Sequence, residues 1–121
     1  MKRLSLYIII GVSTLLLLAS CGQRYEAKQL AKDFVDTYAV NPEKIDITDF
    51  SKLDSTKVIS DSLVQVLRKK ADPLFKNGIT YTAEKQGDKL LYIRMRFNYE
   101  GEEMAKTFYF DPDLEGIVMF K

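Results

Sequence analysis

Cys21 is the only thiol in this chain, and no histidine exists anywhere to serve as its base. A catalytic cysteine acts as the thiolate, which a neighbouring base or positive charge must generate. A Cys–His mechanism is therefore excluded. So is a zinc centre built from histidine and cysteine ligands. One cysteine cannot close an internal disulfide, so the domain must hold together by its core alone. With catalysis set aside, the cysteine is either a small hydrophobe that packs in the core or a residue that serves as an address.

Two further groupings have residue types that could do chemistry. Asp111, Asp113 and Glu115 are spaced like part of a calcium loop. The other ligand positions and the closing glutamate of an EF-hand are missing, and Pro112 makes a hairpin turn the simpler account. Hence no metal is expected. Tyr92, Arg94, Arg96 and Tyr109 fall on alternate positions of two strand-like runs and so share one face. They form a candidate surface patch for an anionic or sugar-like partner, although arginine and tyrosine also suit an ordinary solvated sheet face. Phe34, Tyr38, Phe75, Phe97, Phe108, Phe110 and Phe120 are expected to fill the core, with a ligand cavity as the alternative. No catalytic constellation and no cofactor motif stands out.

The segment before Cys21 explains its setting. Lys2 and Arg3 precede Leu4–Ala19, a run without charge, and small residues follow. A basic start, an apolar stretch and small residues at its end make a secretory signal pattern. Sixteen helical residues would span about 24 Å, short of the roughly 30 Å of a bilayer core. A cleaved leader over 1–20 is thus expected, rather than a permanent transmembrane helix. Leu18-Ala19-Ser20-Cys21 resembles the lipobox of bacterial lipoproteins at all four positions. The resemblance implies a diacylglyceryl thioether on Cys21, cleavage between Ser20 and Cys21, and acylation of the new amino group. Two or three long acyl chains make a stable anchor at about 0.8 kcal/mol per buried methylene. Aspartate does not follow the cysteine, and neither does an acidic run. By the bacterial sorting pattern, this implies the outer membrane, on the leaflet facing the periplasm.

Lys2 and Arg3 lie in the leader, so the rest keeps sixteen of the eighteen basic residues against seventeen acidic ones. A nearly neutral domain whose longest like-charge run is Arg68-Lys69-Lys70 lacks the footprint of a nucleic-acid binder. Residues 21–121 have the length of one domain.

The elements that would position these residues follow from periodicity. Ala27, Leu30, Ala31, Phe34 and Tyr38 recur at helical spacing, which predicts a helix over 24–39 ended by Asn41-Pro42. Residues 43–57 carry turn formers and no regular element; Ile45, Ile47, Phe50 and Leu53 suggest a short extended cover on the core. A second helix is expected at 61–75, with Ser60 as its N-cap, Ile59 and Val64 as a staple, and Leu63, Leu67, Ala71 and Leu74 as its apolar stripe. Strands are expected at 79–84, 90–99, 107–110 and 116–120. A two-residue turn at Glu100-Gly101 or Gly101-Glu102 would put Phe108 and Phe110 on the face of Ile93 and Met95. A three-residue loop, Gln86-Gly87-Asp88, would join 79–84 to the next strand.

The expected fold is α+β: two N-terminal helices packed on a four-stranded antiparallel meander sheet. That order resembles the cystatin-like and NTF2-like groups. With the lipobox, it is also similar to the small lipoproteins common in Bacteroidetes, in stretches such as "LDSTKVISDSLVQVL" and "KTFYFDPDLEGIVMF". The cystatin inhibitor loop, Gln-Val-Gly, is absent, since Gln65-Val66 runs into Leu67. The expected function is a lipid-anchored, non-catalytic binding or interaction module of the cell envelope, its ligand unspecified and an envelope protein its candidate partner. The alternatives are a small NTF2-like pocket enzyme and a structural subunit of an envelope complex.

Overall fold

The computed structural model describes residues 22–121; the expected leader 1–20 and Cys21 lie outside them. Helix α1 covers 22–38. A 3-10 turn, Pro42–Lys44, leads into strand β1 (Ile45–Phe50), then β2 (Asp54–Thr56) and helix α2 (Asp61–Lys69). Strands β3 (Leu90–Tyr99), β4 (Glu102–Phe110) and β5 (Ile117–Phe120) complete the order. No described helix is long and apolar enough to cross a membrane.

The alternation in 90–99 makes β3 the centre of an open antiparallel sheet. On one side it pairs with β1 and then β2, and on the other with β4, which pairs with β5. Glu100 and Gly101 both have positive φ (50° and 83°), the backbone of a type I′ turn, which matches the twist of the strands it joins. That turn sets Ile93 opposite Phe108 and Leu91 opposite Phe110, the register expected of the hairpin.

Two findings change the expected architecture. The flank of β3 that would take 79–84 is occupied by β1 and β2. Residues 79–84 form no strand and instead lie against β5. There Thr82 packs so closely on Gly116 that a Cβ at 116 would collide with the threonine side chain. The helices, moreover, are not two N-terminal elements on one face. α2 follows β2, and the two pack on opposite sides of the sheet.

One core joins Ala27, Ala31, Phe34 and Val35 of α1 to Ile93, Met95, Phe97, Phe108 and Phe110. The other joins Ile59, Val64 and, at its margin, Leu67 to Leu90, Tyr109, Val118 and Met119. A bulge in β5 opposite the Tyr109–Phe110 step lets one four-residue strand feed both. Ile117 and Phe120 belong to the first core, Val118 and Met119 to the second.

Helix α2 ends at Lys69, earlier than expected. Proline at 73 has no N–H and pushes Asp72 out of helical geometry. The Asp72 carboxylate instead accepts the Leu74 amide at 2.9 Å. At its other end the Ser60 hydroxyl accepts the Leu63 amide at 3.1 Å, as an N-cap should. Val64, rather than Leu63, is the residue that the helix buries.

Candidate functional site

The β3–β4 register places all four residues of the expected patch on the outer face: Tyr92 opposite Tyr109, Arg94 opposite Thr107, and Arg96 opposite Ala105. Helix α2 then divides them. Tyr109 is only 6% exposed and belongs to the second core, its ring 5.8 Å from that of Tyr92. Arg94 and Arg96 remain exposed beside a shallow depression of about 330 Å³ that they share with Glu103 and Ala105. Tyr109 is a packing residue, Tyr92 is half-buried against the second core, and the two arginines are the open members of the patch.

A second concavity lies on the far side of β5. Phe34, Tyr38 and Leu30 of α1 face Tyr81 and Ile117 across a groove of about 260 Å³. Asp33, Thr37, Thr80 and Thr82 supply polar groups around it. The ring centroids of Phe34 lie 5.0 Å from Tyr38 and 6.2 Å from Tyr81. The Tyr38 hydroxyl donates to the Thr80 carbonyl at 3.1 Å, which holds the 79–84 segment to the helix. Burial raises the Tyr81 phenol above its ordinary pKa; the Arg68 cation opposes the shift and Tyr38 adds to it. Such a groove suits an apolar or aromatic group with a few hydrogen-bonding atoms.

In the sequence Arg68 stands out only as the first residue of the basic run Arg68-Lys69-Lys70. Its guanidinium reaches across the β5 edge. Nε donates to the Val118 carbonyl and Nη2 to the Ala83 carbonyl, both at 2.7 Å. Nη1 meets the Glu84 carboxylate at 3.2 Å, and the group lies 4.9 Å from the centre of the Tyr81 ring. One side chain thus replaces the ladder bonds that 79–84 and β5 do not make with each other. Its planar fork suits this bridging in a way that a lysine ammonium does not.

Two further charged side chains are held in structural contacts. Asp111, the one buried charged residue among those described, accepts the amides of Glu115 and Gly116 at 2.8 and 3.0 Å. The carboxylates of Asp111, Asp113 and Glu115 do converge, with oxygens within 4.8 Å of one another. Both amides bond to the same oxygen, Oδ1 of Asp111. Lys106 faces the first core's side of the sheet opposite Met95 and forms a direct ion pair with Asp72 in the lining of an open cleft of about 490 Å³. Ser20 and Cys21 lie outside the described residues. Comparison with family models, curated proteins and solved structures finds no match for this chain.

Proposed function

We propose that this chain is a cell-envelope lipoprotein, anchored through acylated Cys21 and carrying a non-catalytic binding or interaction domain. The observation that carries the reading is the tetrapeptide Leu18-Ala19-Ser20-Cys21 set between an uncharged run and a folded helix. The groove between α1 and residues 79–82 supports binding over catalysis. Its walls are mostly aromatic and aliphatic, and its one carboxylate, Asp33, is exposed at the rim. General acid–base work favours a group whose pKa lies near the working pH, and burial moves the Tyr81 phenol of this groove further above neutrality. Residence in the outer membrane, facing the periplasm, and an envelope protein as partner belong to the same proposal. So does kinship with cystatin-like or NTF2-like folds, supported by α1 lying across an antiparallel sheet.

Substituting Cys21→Ser and fractionating the cells tests the anchor. The wild-type chain should stay with the membranes and the variant should accumulate unprocessed. An identical distribution and size for the two would contradict the proposal. Crosslinking the membrane-bound form and identifying what it retains would separate an interaction module from a solitary ligand binder.

A further inference from the structure

The chain has no slack between Cys21 and the folded body. α1 is already formed at Gly22, and Arg24 in its first turn donates to the carbonyls of Phe50 (3.0 Å) and Ser51 (3.3 Å). One turn later the Lys28 ammonium lies 5.6 Å from the centre of the Phe50 ring, followed by Lys32 at 5.9 Å. The start of the helix is therefore held where β1 gives way to β2. Further along, Phe34 meets Phe108 and Phe120, with centroids 5.6 and 5.3 Å apart. α1 thus crosses the sheet from the β1–β2 edge to the β5 edge.

The two edges differ. Residues 79–84 and Arg68 cover the β5 edge. Among the described residues, no strand pairs beyond β1 and β2. Apart from the two carbonyls that Arg24 occupies, an edge without a neighbouring strand offers backbone groups to any extended chain, and folded proteins rarely leave one unmanaged. Beside it, in the first turn of α1, Tyr25 is 63% exposed. Tyrosine is enriched where water meets the headgroup layer of a membrane.

We propose, on the reading that Cys21 carries the lipid, that Tyr25 and the β1–β2 edge rest on the phospholipid headgroups, leaving the β5 edge and its aromatic groove facing away. Gly22 to Tyr25 spans a helical rise of only about 4.5 Å, comparable with one headgroup layer of roughly 5–7 Å. A domain pinned so close to its anchor cannot swing the edge away, as a flexible linker would allow. The exposed charges along the edge are of both signs: Asp46, Asp49 and Asp54 against Lys52 and Lys57. That mixture matches a zwitterionic headgroup, with its phosphate and ammonium, better than a surface of one sign.

The chain contains no tryptophan, so Tyr25→Trp introduces a single fluorophore. Val66→Trp serves as the comparison: Val66 is 62% exposed and lies on α2, across the sheet. Full-length variants, expressed with the leader and extracted from membranes, would be reconstituted in phosphatidylcholine vesicles, with acylation read from intact mass. The indole at position 25 should emit further to the blue than the one at 66. It should be quenched several-fold more by a headgroup spin-labelled lipid than by aqueous iodide, with the order reversed at 66. Gln23→Trp, in the same turn, should behave like Tyr25→Trp. An acylated protein whose indoles at 23 and 25 are as open to iodide as that at 66 would overturn the proposal alone. An unacylated mass would overturn the anchor reading and this proposal with it.

Discussion

Arg68 holds the β5 edge through two charge-assisted bonds to backbone carbonyls, each of a kind that contributes about 1.5–3 kcal/mol. Arg68→Ala should lower the unfolding free energy by about 2–4 kcal/mol, since water can partly replace the lost donors. Arg68→Lys should recover less than half of that, because one ammonium cannot span both carbonyls. Urea titration of the three proteins checks both figures. The neighbouring Tyr81 predicts a pH effect. Its phenol is raised above 10.0 by burial, so the folded state favours the neutral form. The stability tied to that form is complete below about pH 10 and is lost as pH climbs through the raised folded value. Tyr81→Phe should therefore track the wild type near neutrality and lose less stability above pH 10. Curves that separate below pH 10 would contradict this.

At the scale of elements, the β3–β4 hairpin allows a stabilising substitution. Glu100 holds a positive φ that side-chain-bearing residues adopt at a cost of about 1 kcal/mol, and asparagine tolerates it far better. Its ion pair with Lys44, at 3.4 Å and well exposed, contributes only about a few tenths of a kcal/mol. Glu100→Asn should accordingly raise stability by about 0.5 kcal/mol, visible as a higher melting temperature. This hairpin was legible in the sequence because alternation and glycine placement agree there. β1 was not, and the reason is local. Ile45 and Ile47 face the first core, but a bulge at Thr48 shifts the phase so that Phe50, three residues on, shares their side. The period of two is broken inside a six-residue strand. Residues 79–84 misled in the opposite sense. Ile79 and Tyr81 pack on one core and Ala83 on the other, so a segment wrapping the β5 edge alternates without joining a ladder. The register that gathers Tyr92, Arg94, Arg96 and Tyr109 was legible too. The burial of Tyr109 was not, because it depends on which face receives α2.

For the whole molecule, two small cores share one sheet, and α1 spans it from the end nearest Cys21 to the β5 edge. The groove between α1 and residues 79–82 is formed by segments about forty residues apart, which no local pattern announces. The proposed function depends on the anchor more than on that groove. The measurement that tests it most directly is the intact mass of the mature protein extracted from bacterial membranes, followed by sequencing of its N-terminal peptide. The predicted result is a chain that starts at Cys21 and carries the added mass of a diacylglyceryl group and an N-acyl chain. A chain that starts elsewhere, or an unmodified Cys21, would contradict it.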